Sequence, residues 1–377
     1  MNPALGATGA LHIAARGTPA GLVAVEVRNT RPAAAHALRG LEAAQACARV
    51  PRLYSLCAHA QAGAARAACA AAAGRTPDET ARRADERALA TETMREHLWR
   101  LMLDWPALLG LPATLQADWR ARFAALYRRL AASIGLAEQL AEELSALAEE
   151  LSALADELAA TLPGALTSAL DPPIRDGTPP PAHLDAPAAH TGFLTPLLPA
   201  LDALACTRRL ALDEAFAAAP RLDGLCRETG ALARHHADPA VAAALAEGRH
   251  VAARILARIA DLRESARALA AHKPAPRIDA CSPTPGVGLA RVDSARGLLI
   301  HQMRLAARPA GEPACIADYR IVAPTEWNFH PQGVFVREAL ATPPMPAADR
   351  QRRLRALALA LDPCVAVSWQ VEENGDA

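Results

Sequence analysis

Val23, Val25 and Val27 alternate with smaller or polar neighbours in GLVAVEVR at 21–28, which is the period of a half-buried strand. From about Ala33 to Ala73 the chain becomes Ala-rich and the pattern predicts helix. Pro51 marks an expected break there, just before Arg52-Leu53-Tyr54-Ser55-Leu56-Cys57. Thr76-Pro77-Asp78-Glu79 reads as a helix start with Thr76 as cap and acidic residues in the first turn. That helix is predicted to run through 92–103 and to stop before Pro106.

A short tandem repeat follows, AEELSAL at 141–147 and again at 148–154, then ADELAAT. Leu140, Leu144, Leu147, Leu151, Leu154 and Leu158 are spaced 4-3-4-3-4, an a/d stripe within 136–160. Such a stripe needs a partner helix, either in a hairpin arm of the same chain or on another molecule, so a homodimer through 136–160 is one expectation. Residues 171–191 are proline-dense and predict an extended linker inside a single domain spanning 1–377. Helix is expected again over roughly 194–272, and 274–285 is interrupted by prolines. Gly297-Leu298-Leu299-Ile300-His301 and Tyr319-Arg320-Ile321-Val322 look like a pair of strands. A last helix, about 347–361, delivers the chain to Asp362-Pro363-Cys364.

Composition agrees with this reading. Over 377 residues the hydrophobic share is 52% but aromatics are only 3%, so Ala and Leu must fill the core. Both are strong helix formers, which favours a mainly α protein with small β elements. The 30 prolines argue against one uninterrupted bundle. Basic and acidic residues balance at 40 each, which disfavours a nucleic-acid binder driven by phosphate neutralisation. No basic start followed by an apolar run suggests a signal peptide, and no stretch approaches a membrane span, so a cytoplasmic location is expected. The eight cysteines contain no C-x-x-C pair and should be reduced thiols, mostly small buried hydrophobes.

Two of those cysteines stand out. RLYSLC at 52–57 and DPCVAV at 362–367 each look like a C-x-x-C motif that has lost one cysteine. Other segments accompany them in order: LRGLE at 38–42, ETGALAR at 228–234, SARGLLIH at 294–301 and DYRIVAPTEWNFHPQG at 318–333. Together they resemble the large subunit of nickel–iron hydrogenases. The resemblance implies that family's fold, a helical core on which the N- and C-terminal segments converge. In the family four thiolates, two from each terminal motif, hold nickel and an iron that carries carbon monoxide and two cyanides. By that match Cys57 stands at a bridging position and Cys364 at a nickel-only position, while Tyr54 and Val367 fill the other two places. Nickel there needs several soft thiolates, which a phenol and an aliphatic side chain do not replace. An active nickel–iron centre is therefore not expected.

Further departures agree. Gln61 stands where the family has histidine, with His59 nearby but out of register. The opening R-x-E-G-H is missing, and Ser368 follows Val367 where processed members have a cleavage histidine, so no C-terminal maturation cleavage is expected. This pattern, with ETMREHLWRLMLDWP at 92–106, resembles the hydrogenase accessory proteins of the HupK/HoxV type. The resemblance implies no catalysis but a role in maturation, as a scaffold assembling or carrying the Fe(CN)2CO unit. The partners it implies are the hydrogenase large subunit and maturation factors, namely a small carrier chaperone and its iron–sulfur partner. The alternative is a metal-free chaperone that imitates the large subunit to engage the same partners.

The candidate metal ligands are Cys57 and Cys364. Two thiolates and three diatomics supply iron with five ligands and require no nickel. Arg296 matches the family's arginine beside the iron, where a guanidinium fork suits cyanide nitrogens; an ordinary ion pair is the other reading. Pro324, Thr325 and Asn328 are expected to fix a turn, Glu228 and Arg234 to form an ion pair or shape a partner surface, and His235-His236 to sit on a solvated helix face.

Overall fold

The computed structural model describes residues 9–76, 78–134, 141–174, 195–271, 276–306 and 312–373. The start of the leucine segment at 136–140 and most of the proline-rich segment 171–191 lie outside these residues.

The valine alternation forms strand β2 (Gly21–Asn29), paired with a preceding strand β1 (Leu11–Thr18) that the sequence reading did not anticipate. β1 also pairs in parallel with β7 (Val367–Glu373), Leu11 opposite Val367, so the two terminal segments meet in one three-stranded sheet ordered β2-β1-β7. A second, antiparallel sheet runs β3 (Ile278–Thr284), β4 (Val287–Ser294), β5 (Gly297–Leu305), β6 (Ile316–Val322). The expected strand pair is β5 with β6, Ile300 opposite Val322. Pro283 lies in β3, the edge strand, where a missing donor breaks no inner ladder.

Helix makes up most of the rest. It includes α1 (Ala43–Leu53), α2 (Ala58–Ala72), α3 (Glu79–Trp99), α4 (Ala113–Ser133), α5 (Ala141–Ala165), α6 (His250–Ala270) and α7 (Ala347–Leu361). The expected break at Pro51 is displaced: the proline sits inside the last turn of α1, and the helix ends at Leu53. The cap of α3 is Asp78 rather than Thr76, because the Asp78 carboxylate accepts from Ala81 N at 3.1 Å. Nor does the helical path stop before Pro106. A π turn over Arg100–Asp104 re-registers the backbone bonds, so Pro106 falls in a first turn that needs no N–H from it. Between 195 and 249 the expected helix is broken into short pieces (Ala203–Arg209, Glu214–Ala218, Ala231–His235, Pro239–Ala246) joined by turns.

The leucine stripe finds its partner within the chain. Leu144, Leu147, Leu151, Leu154 and Leu158 are buried in the main helical core, where α5 packs on α6. Arg263–Asp156 (2.6 Å) pins α5 to α6, and Trp119 and Arg122 bind Glu157 (2.6 and 2.8 Å) to pin it to α4. The described leucines of the stripe are therefore covered by helices of their own chain.

The four-stranded sheet is buried on both sides, which is why GLLIH reads as a continuous apolar run. Leu298 and Ile300 face one core, while Leu299 and Met303 face the helices that carry the first cysteine motif. Helix α2 lies so close that a Cβ on Gly288 would sit 1.9 Å from Ala68 O and 2.5 Å from Ala72 N. Both are backbone atoms, so neither can swing away. Gly288→Ala should therefore destabilise the protein by about 1–3 kcal/mol. The result would appear as a lower urea midpoint with an unchanged m value.

Candidate metal centre

The two half-motifs converge. Cys57 ends the turn that joins α1 to α2, and Cys364 lies three residues beyond the end of α7. Each thiol lies within electrostatic reach of the other, and both lie within reach of the Arg296 guanidinium. Burial, reinforced by Cys364 and Glu92, pushes the Cys57 thiol up to about 12. Cys364 has a more polar setting. Its Sγ meets Arg31 Nη1 and Thr325 Oγ1, each at 3.1 Å, and its backbone N–H donates to Thr325 Oγ1 at 3.3 Å. Arg31 is anchored in turn by an ion pair with Glu326.

Cys57 opens a buried chain of hydrogen bonds. The Gln61 amide donates to Cys57 Sγ at 3.6 Å, and its carbonyl oxygen lies 2.9 Å from His301 Nε2. His301 Nδ1 lies 2.9 Å from the Tyr319 hydroxyl. Burial holds His301 down to about 3, so the ring is neutral. The network then assigns its proton to Nε2, with Nδ1 accepting from Tyr319. Glu92 meanwhile accepts from the free backbone donors of His59 (2.7 Å) and Ala60 (3.0 Å) at the start of α2, although burial still raises its carboxyl to about 7.

Arg296 is buried and shares Asp362 with two other arginines. Asp362 Oδ1 takes Arg100 Nε at 2.7 Å, and Oδ2 takes Arg258 Nη1 at 3.0 Å. Arg296 Nη2 binds Glu96 at 2.6 Å. Its Nε lies 3.2 Å from Asp362 Oδ1 yet makes no hydrogen bond there. Despite full burial, the three guanidinia hold the Asp362 carboxyl well below the usual range. Asp362 also closes α7 in the left-handed region at φ 53°, which aims its side chain back at these arginines and sends Cys364 toward Thr325.

Three motif segments are woven together beside this cluster. Asn328 accepts from Thr229 N (2.9 Å) and donates to Thr229 O (3.1 Å), while Thr229 Oγ1 accepts from Leu298 N (2.9 Å). ETGALAR, PTEWN and SARGLLIH therefore meet at one residue. Gly297 is required there: at φ 130° an added Cβ would sit 2.5 Å from Thr229.

A cleft of about 350 Å³ lies on the far side of Arg31, with Tyr54, Arg31, Glu326 and Tyr319 among its walls. Burial pushes the Tyr54 phenol up to about 12. Val367 is the first residue of β7 and packs against the core under β1 and β2.

Some sequence expectations are corrected. Glu228 and Arg234 do not pair with each other. Glu228 takes Arg254 (2.7 Å) and Arg234 takes Asp261 (2.7 Å), because each faces a buried charge on α6. His235 is not on a solvated face but binds Asp261 at 3.0 Å, whereas His236 is exposed. Thr325 does more than shape a turn, since it touches Cys364. Arg31, Arg100, Arg258, Gln61 and His301 were not singled out as site groups. One signal was available: His250, Arg254, Arg258, Asp261 and Ser265 recur at 4-4-3-4 along α6, a polar stripe on a helix whose opposite face is apolar. Arg31 and Arg100 carried no comparable pattern.

What a metal fragment would meet can be judged from these donors. Two soft thiols and a buried guanidinium within reach of both suit an iron bearing diatomic ligands. They do not suit nickel, for which the third and fourth thiolates are missing.

No family model matches the chain. Among curated proteins it is 34% identical over 340 residues to the hydrogenase expression/formation protein HupK of Rhizobium leguminosarum bv. viciae, covering 86% of each. It is 33% identical to the hydrogenase expression/formation protein HoxV of Cupriavidus necator, covering 89% of this chain and 90% of that one. The HupK protein of Azotobacter vinelandii is 34% identical, with 96% and 98% covered. Among solved structures, the nickel–iron–selenium hydrogenase of D. vulgaris Hildenborough aligns with a TM-score of 0.66 at 16% identity, over 92% of this chain and 94% of that one. The corresponding enzyme of Desulfomicrobium baculatum gives 0.64 at 16%, with 92% and 94% covered. These structural matches establish the fold, that of the hydrogenase large subunit.

Proposed function

This chain belongs to the hydrogenase expression/formation proteins of the HupK/HoxV type, and we propose that it serves hydrogenase maturation as a non-catalytic scaffold for the Fe(CN)2CO unit. The cargo would be held by Cys57 and Cys364 and delivered to the large subunit. The observation that carries this reading is the convergence of the one surviving thiol of each terminal motif beside a buried arginine. Cys57 must surrender its proton as iron binds, since the thiolate is the ligand. Arg31 and Thr325 orient the Cys364 sulfur. Arg296 sets a positive guanidinium within reach of both sulfurs, which suits a cyanide nitrogen, and the cleft bounded by Tyr54 and Arg31 gives passage to solvent or to a partner. No helix among the described residues is long and apolar enough to cross a membrane.

The second reading is a metal-free chaperone that engages the assembly partners by imitating the large subunit. It draws on Leu53 and Leu56, each 43% exposed on either side of Tyr54, which offer an apolar contact at the mouth of the site.

Infrared spectra of the full-length protein, purified from cells assembling the hydrogenase, separate the two. The scaffold reading expects bands of metal-bound carbon monoxide and cyanide that disappear in Cys57→Ala and in Cys364→Ala, with maturation lost. Spectra free of such bands, with maturation intact in both variants, would leave the chaperone reading standing alone.

A further inference from the structure

Away from this site, α1 and α2 bring a second pair of thiols together. Cys47 on α1 and Cys69 on α2 are electrostatic neighbours, and the Cys47 thiol donates to Ala65 O at 3.4 Å, one helical turn before Cys69 on α2. Both line a cleft of about 380 Å³ open to solvent, together with Arg66 and Arg75. Arg75 lies within electrostatic reach of the Cys69 sulfur, while Arg66 is engaged by Asp85 at 3.1 Å. The other six cysteines are free thiols as well. The surroundings split the pair: the neighbouring Cys47 and Arg75 lower the Cys69 thiol, whereas Cys69 and burial raise Cys47. A low-lying thiolate beside a protonated partner is the arrangement used for attack and resolution in thiol–disulfide chemistry.

We propose that Cys47 and Cys69 form a reversible thiol–disulfide exchange site whose co-substrate is a low-molecular-weight disulfide of the glutathione class. The Cys69 thiolate attacks one sulfur of the disulfide. The new bond is a mixed disulfide, and the first glutathione leaves as thiolate. Cys47 then loses its proton and attacks the Cys69 sulfur, closing the Cys47–Cys69 bond and releasing the second glutathione. Two electrons pass from the protein dithiol to the co-substrate, and the thiol protons end on the two glutathiones. The link fastens α1, which leads to Tyr54, onto α2, which begins just after Cys57. The site itself is independent of whether iron is ever carried.

The test uses the full-length protein in glutathione buffers of stepped oxidised-to-reduced ratio, followed by acid quench, alkylation and peptide mass spectrometry. Cleavage after arginine leaves Cys47, Cys57 and Cys69 on three different peptides, so the linkage is read directly. The expected result is one Cys47–Cys69 link, reversed by reduced glutathione and complete before the other six cysteines react. Cys47→Ser should trap glutathione on Cys69. The exposed Arg75→Gln should slow the link several-fold without moving the thermal midpoint. Persistent free thiols at 47 and 69 in the wild-type chain, or links formed first at other cysteines, would overturn the proposal. Glutathione trapped on Cys47 in Cys69→Ser at the wild-type rate would overturn the assigned order of attack. The wild-type map decides the matter even where a serine variant fails to fold.

Discussion

Arg254→Met should cost about 3–5 kcal/mol of folding stability, the penalty for stripping one partner from a buried ionic network. Arg254 reaches Glu228 with Nε (2.8 Å) and Nη2 (2.7 Å), and Glu338 with Nη1 (2.9 Å). All three side chains are almost fully buried. Methionine roughly keeps the length of the side chain but leaves Glu338 with His250 and the more distant Arg353, and takes from Glu228 the guanidinium that binds both its oxygens. Against a total stability of about 5–15 kcal/mol, that loss is about a fifth or more of the whole. The same network predicts acid sensitivity. The guanidinium and His250 hold the Glu338 carboxyl well below its ordinary 4.5, so the folded state binds this proton more weakly than the unfolded chain. The stability it contributes is present above about 4.5 and is lost as pH falls through that range toward the folded value. Urea midpoints measured from pH 7 downward should fall steeply in the wild type and less steeply in Arg254→Met. Parallel curves would refute the assignment.

Asp362→Asn should lower stability by about 3 kcal/mol, the lower end of the same range, because Arg100 is 20% exposed and can turn to water while Arg258 and Arg296 cannot. Asparagine is the informative replacement. It tolerates the left-handed φ of 53° nearly as well as aspartate, so backbone strain does not contribute. It also keeps the volume and removes only the charge. The Arg296 guanidinium then loses the carboxylate opposite its Nε, and Cys364 hangs from a helix end no longer tied to the arginine cluster. Any iron-bound carbon monoxide and cyanide bands should therefore shift or vanish in this variant even where circular dichroism shows a folded protein. A denaturation midpoint within 0.5 kcal/mol of wild type would mean that the three arginines are neutralised some other way.

Local pattern served well where packing follows period. The alternation at Val23, Val25 and Val27 became β2, the apolar run at Gly297–His301 became β5, and the last helix runs Ala347–Leu361 as read. Pattern failed where a partner far along the chain decides the outcome. β1 carries a weak local signal and is a strand because β2 and β7 flank it. Pro106 is tolerated because a π turn precedes it. Glu228 and Arg234 are close in sequence, but each is drawn to an opposite charge on α6, and no spacing rule foretells that choice.

By itself, the sequence determined the broad helical class, the family resemblance and which terminal thiols survive. Those features rest on residue identity and on periods of two or 3.6, which are local properties of a chain. Only the tertiary structure decided that Cys57 and Cys364 share one arginine, that the leucine stripe is covered by α6, and that Cys47 meets Cys69 across a cleft. Hydrogen bonds, ion pairs and thiol contacts form between whichever groups folding brings within a few ångströms. A buried charge takes the partner that packing leaves beside it, however far away that partner lies in the sequence.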